Sequence, residues 1–217
     1  MNSEFSRLCL GGDGLELADS IVGDCHKMLN VPYDCGFFFC KHAGLAQQVF
    51  QNANATYLNT ASAATDGVQS PLNIGIENSR RFRGLSVYAT LITYGREGYQ
   101  DMLVRQVRFA RAVAEYLFQN PAFELLPKRI QQHEDRFELY TFIVVLFRAQ
   151  DRALNKSLVK RINATSLMYV SGTVWDGEPA SRIAVSNWQI DPERDLKVVK
   201  GVLESILDCH LKESERA

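Results

Sequence analysis

The sequence predicts a mixed α/β chain that finishes in a compact α+β domain, and three observations lead there. Two short apolar runs, residues 18–22 and 36–40, flank a lysine-bearing turn and read as buried strands. Residues 98–119 carry Met102, Gln106, Phe109, Val113 and Leu117 down one side at helical spacing and stop at Asn120-Pro121, which makes them a long connecting helix. Beyond it the period changes to strict alternation, with Leu139, Thr141, Ile143, Val145 and Phe147 on one face of a strand. The division suggested is residues 1–97, a connecting helix at 98–121, and a small domain at 122–217.

Composition bounds the partners. With 46% hydrophobic and 23% charged residues among 217, the chain has enough apolar side chains for one large or two small cores. A net charge of −1 argues against nucleic acid or an anionic membrane as partner, because both call for clustered Lys and Arg. Residues 1–20 lack the order of a signal peptide and no apolar run is long enough to span a bilayer, so no membrane partner and a cytoplasmic chain are expected. Cys9, Cys25, Cys35, Cys40 and Cys209 are odd in number and read as reduced thiols. His26, His42, His133 and His210 show no paired ligand spacing, so no metal site is expected.

The chain opens with Gly11, Gly12 and Gly14, a flexible cluster that follows no strand and precedes no Lys-Ser or Lys-Thr, unlike a phosphate loop. Lys27 follows, at the end of the first strand. A lysine inside a core must be neutralised, paired or used covalently, since a neutral amine attacks carbonyls; alternatively it reaches out to water along its stem. A short helix at 45–50 leads into residues 51–75, rich in Asn, Ala, Thr and Ser and long enough to be a lid, a linker or disorder. Residues 79–94 form a helix with Phe82, Leu85, Ala89 and Ile92 on one stripe, ended by Gly95. Arg80, Arg81 and Arg83 at its start can bind an anion. In the last domain, strands are expected at 123–126, 167–171 and 182–187 and a helix at 153–165. A final helix has Asp191 as N-cap, Pro192 at N1, and Leu196, Val199, Leu203 and Ile206 facing a core.

Asp24-Cys25-His26-Lys27 with Pro32-Tyr33-Asp34 behind it resembles the lysine segment of the group II pyridoxal-phosphate-dependent decarboxylases, the family of aromatic-amino-acid, glutamate and histidine decarboxylases. Cys25 stands at a Pro or Ala place and Met28 where Trp is usual. The likeness extends in order through Tyr57-Leu58, Arg80-Arg81-Phe82-Arg83 and the strand around Arg182 that ends in Asn187-Trp188, covering residues 18–207. Co-occurrence in order is more specific than any single motif. It implies a Lys27 Schiff base with pyridoxal 5'-phosphate, His26 at the cofactor phosphate or substrate, and Asp24 holding the loop near the phosphate. By the same resemblance Tyr57 is the proton donor on a mobile lid and Ser79 a phosphate ligand to the partner subunit's site. The same resemblance implies that Arg182 binds a substrate carboxylate. Read without the resemblance, Tyr57 is a loop anchor and Arg182 a strand-edge salt bridge.

The implied fold is the C-terminal part of a type I pyridoxal-phosphate enzyme: a remnant of the large α/β cofactor domain, then a small α+β domain, assembled as a homodimer on an amino-acid substrate. In that family the aspartate for the ring nitrogen precedes the lysine, and only 26 residues precede Lys27. The expectation is therefore a decarboxylase lacking its N-terminal half, or a non-catalytic fragment acting as a folding or interaction module.

Overall fold

The computed structural model describes residues 5, 10–50, 75–77, 79–128 and 141–216. The chain divides into two compact units, Met1–Thr93 and Tyr94–Ala217. Residues 51–74, with the expected lid and Tyr57, lie outside the described residues.

In the first unit, β1 (Ser20–Asp24) pairs antiparallel with β2 (Gly36–Cys40), in a register running from Ser20↔Cys40 to Asp24↔Gly36. β2 has the bounds that its apolar run predicts, whereas β1 begins two residues later than expected. Neither strand is buried: Val22 is 72% exposed and Phe38 58%. A two-stranded sheet has two faces to cover, and among the described residues of this unit the regular elements besides it are two short 3-10 turns (Leu10–Gly12 and Leu15–Leu17), α1 (Ala43–Phe50) and the start of the next helix.

That next helix, α2 (Gly84–Gln119), starts five residues after the predicted opening at Ser79, because Arg81 and Arg83 are drawn instead to Asp34. The predicted stripe faces water, with Phe82 76% and Ile92 69% exposed. Gly95 interrupts the helix at φ 60° and ψ −173°, a backbone region open essentially to glycine alone, so the helix ending predicted there is seen as a break.

In the second unit, residues 96–119 of α2 bury Met102, Gln106, Phe109, Val113 and Leu117, the whole predicted stripe. Four antiparallel strands follow in the order β3-β4-β6-β5: β3 (Phe123–Leu126), β4 (Val144–Ala149), β5 (Ser171–Trp175) and β6 (Glu178–Ala184). Val145 and Phe147 point into the core as the alternation requires. Strands expected at 167–171 and 182–187 are displaced, because Asp176-Gly177 closes a tight hairpin between Trp175 and Glu178. Both turn residues are left-handed, φ 50° and 77°, as a two-residue hairpin turn demands. Helix α3 (Arg152–Ala164) is capped by the Asp151 side chain, and α4 (Pro192–Ser214) by Asp191, which accepts from the amides of Glu193 and Arg194. Leu154, Leu158 and Ile162 of α3 and Val199, Leu203 and Ile206 of α4 complete one core with α2, β3, β4 and β6.

Candidate active site

The lysine turn is built by the sheet register. β1 ends at Asp24, β2 begins at Gly36, and the eleven residues between must return the chain within one strand spacing. Lys27 N donates to Asp24 O (3.2 Å) and Asn30 N to Lys27 O (3.2 Å), two successive tight turns. Asn30 accommodates the reversal at φ 55°, a conformation that asparagine tolerates better than most residues. Beneath the turn, Cys25, Val31 and Cys35 are buried together with Leu29 and Val87 packed against them.

Lys27 is on the outer side. Its side chain is 66% exposed and its Nζ lies 2.5 Å from Asp24 Oδ2, which corrects the expectation of a lysine inside a core. The physical reason is the turn itself, which directs Cys25 inward and leaves the ammonium in water with a carboxylate partner. Asp24 is held below the usual carboxylate range by its hydrogen bond from Lys27. His26 is fixed by its neighbours: Nδ1 is 2.8 Å from Cys35 O, and the ring meets Tyr33 edge-on with centroids 4.8 Å apart.

The arginines at the opening of α2 do meet an anion, and it is Asp34 of the same unit. Arg81 Nη2 donates to Asp34 Oδ1 (2.9 Å) and Arg83 Nη2 to Oδ2 (3.2 Å), while Arg83 also approaches Glu77 at 3.6 Å. Hydrogen bonding from Arg83 lowers the Asp34 carboxyl, and the same bond raises Arg83. The clamp joins the end of the lysine turn to the segment before α2, a link that sequence reading missed although Pro32-Tyr33-Asp34 and the arginines had each been singled out. Opposite charge between two singled-out motifs was the available signal. Ser79 is exposed in the bend ahead of these arginines.

The structure therefore brings Asp24, His26 and Lys27 together in one turn, and ties Asp34 to the arginines. Arg182 belongs to the second unit, on the exposed face of β6 between Leu146 of β4 and Ser171 of β5. It sits on an interior strand of the sheet, not at the strand edge that its salt-bridge reading assumed. That unit also holds a cleft of about 410 Å³ lined by Phe109, Met168, Tyr169, Val185, Asn187 and Val199, among others. Arg105 and Gln106 of α2 steady its rim by donating to the carbonyls of Ile190 (2.6 Å) and Asn187 (3.2 Å). Among the described residues there is no cluster of metal ligands and no helix long and apolar enough to cross a membrane.

A lysine turn on a two-stranded antiparallel sheet, followed by an antiparallel α+β unit, has the mixed helix-and-sheet fold of type I pyridoxal-phosphate enzymes. The family is settled by sequence: residues 5–133, more than half of the chain, match the pyridoxal-dependent decarboxylase conserved domain, and the chain belongs to that family. It is 35% identical over 114 residues to an L-2,4-diaminobutyrate decarboxylase of Acinetobacter baumannii, covering 52% of this chain and 22% of that protein. An aromatic-L-amino-acid decarboxylase of Catharanthus roseus is 25% identical over 209 residues, 93% of this chain and 39% of the relative. The crystal structure of Oryza sativa TDC with PLP and tryptamine shares the fold at a TM-score of 0.75 and 23% identity, over 91% of this chain and 40% of that one. The chain thus spans two-fifths or less of the length of these proteins.

Proposed function

We propose that this chain supplies the lysine-bearing and C-terminal part of a pyridoxal-phosphate-dependent amino-acid decarboxylase, with Lys27 as the residue that holds the cofactor covalently. The supporting observation is a solvent-reachable primary amine, beside a fixed imidazole, on the turn that bears the family's lysine motif. The donor set fits the cofactor in kind: an amine for its carbonyl carbon and hydroxyl and imidazole groups for its phosphate. When bound, pyridoxal 5'-phosphate supplies the electron sink that lets a carboxylate leave as carbon dioxide.

The residues have separate tasks. Lys27 Nζ must lose a proton to bond to carbon, and Asp24 Oδ2 holds that proton in place until the ion pair opens. His26 keeps its ring orientation through Cys35 O and presents its other nitrogen to the cofactor phosphate or the substrate. Ser79 donates a hydroxyl to phosphate, and Arg182 holds the substrate carboxylate as a planar fork. Tyr57 Oη delivers the proton that replaces the departing carboxylate. A homodimer belongs to the same reading.

Tyr57→Phe tests the assignment in the protein assembled with the rest of the fold. General acid catalysis contributes about 10²–10⁴-fold, so amine formation should fall by that order while cofactor and substrate still bind, with carbonyl products appearing instead. Amine formation at the parent rate would make Tyr57 a loop anchor. A second reading, a non-catalytic interaction module, draws support from the apolar side chains left uncovered in the first unit, among them Leu17 (79% exposed) and Phe39 (63%).

A further inference from the structure

We propose that Cys25 and Cys35 form a reversible cross-strand thiol–disulfide pair, a modification site that closes the Lys27 turn into a ring, with a small-molecule disulfide such as oxidised glutathione as its oxidant. The register carries the argument. Pairing runs from Ser20↔Cys40 to Asp24↔Gly36, and continuing that count by one step, just past the last paired residues, would bring Cys25 level with Cys35. His26 N donates to Cys35 O (3.2 Å), so the two chains are still joined just beyond the sheet. Directly opposed residues of antiparallel strands have Cα atoms about 4.5–5.5 Å apart. That lies inside the roughly 4.4–6.8 Å over which a disulfide closes without moving the backbone.

The side chains also point the same way. Cys25 is 3% exposed and Cys35 6%, and both belong to the one buried cluster beneath the turn. Burial, and next the hydrogen bond with Cys35, pushes the Cys25 thiol up. Cys40 has different surroundings, near His42, and Cys209 is exposed on α4.

The chemistry balances as two exchanges. One cysteine thiolate attacks a sulfur of oxidised glutathione and releases one glutathione thiolate; the second cysteine then displaces the other glutathione from the mixed disulfide. One Sγ–Sγ bond forms, the glutathione S–S bond breaks, and the two electrons and two protons end on two glutathione thiols. Buried thiols react only when the turn opens, so oxidation is slow in the closed form. Closure removes the Cys35 Sγ donor from Arg83 O (3.9 Å) and pins both ends of the segment carrying His26 and Lys27. Control of cofactor loading through that ring rests on the reading of Lys27 given above; the thiol chemistry does not.

The test oxidises the chain with oxidised glutathione, quenches in acid, denatures, blocks free thiols, and then digests with trypsin. Titratable thiols should fall from the five of the sequence to three. Peptides 8–27 and 28–41 should emerge linked, with Cys25 and Cys35 protected and Cys9, Cys40 and Cys209 blocked. Cys25→Ser and Cys35→Ser should each abolish the link. The parent chain alone decides the matter even if a variant fails to fold. Stable glutathione adducts on Cys25 or Cys35, protection at other cysteines, or five reactive thiols throughout would overturn the proposal. Because the link is read without cofactor, a linked chain that never loads pyridoxal phosphate refutes only the Lys27 reading, and loading without linkage refutes only this one.

Discussion

Glu124 and Arg148 face each other directly across β3 and β4, and their charges are shielded from water: the side chains are 8% and 15% exposed, with Nε 2.5 Å from Oε2. Lys128 adds a second partner at 2.7 Å. Burial pushes the Glu124 carboxyl up, but hydrogen bonds from Lys128 and Arg148 outweigh it and leave the group below its usual value. A carboxyl lowered on folding adds stability above its unfolded value of about 4.3, and that stability is lost as pH falls through the folded value. Arg148→Met should therefore destabilise the chain by roughly 2 kcal/mol at neutral pH, below the 3–5 kcal/mol typical of a broken, fully buried pair because Lys128 remains. Urea unfolding at several pH values checks this. The difference from the parent should shrink below about pH 4, and one constant with pH would contradict it.

At the scale of elements, the break at Gly95 separates two helical stretches that a continuous hydrogen-bond ladder would merge. A Cβ there meets nothing within 4 Å, so the penalty of Gly95→Ala is that of the backbone alone. With φ at 60° and ψ at −173°, that penalty should be about 1–3 kcal/mol, measured by denaturant unfolding. An unchanged midpoint would mean that the break is not kept in solution. The elements also show what could be read from sequence. The buried stripe of α2, the alternation of β4, and the caps at Asp191 and Pro192 were legible because local period and capping chemistry decide them. β5 and β6 were misplaced although Asp176-Gly177, a strong hairpin signal, stood in plain sight. Lys27 was placed in a core because its flanking strands are apolar. What covers an apolar strand is a property of the tertiary fold, and a local period cannot report it. The partnership of Asp34 with Arg81 and Arg83 spans more than 40 residues of sequence, beyond any local pattern.

At the scale of the whole molecule, the described residues of the two units differ in how many apolar side chains they bury. Among the described residues, the second unit has one continuous core drawn from three helices and three strands, whereas the buried cluster of the first is Cys25, Val31 and Cys35. Regions with few buried apolar side chains open at low free energy. Limited proteolysis should therefore cut within residues 1–93 first and leave a resistant fragment containing residues 98–119 and the four-stranded sheet. Equal cleavage of both units would contradict this. The family is legible from motif order alone, and the proposed role of Lys27 is open to a direct chemical test. The most direct measurement is borohydride reduction of the chain in the presence of pyridoxal phosphate, followed by peptide mapping. The reduced cofactor should be found on Lys27 in preference to the other lysines, and none in Lys27→Ala. Label spread evenly over exposed lysines, or undiminished in Lys27→Ala, would contradict it.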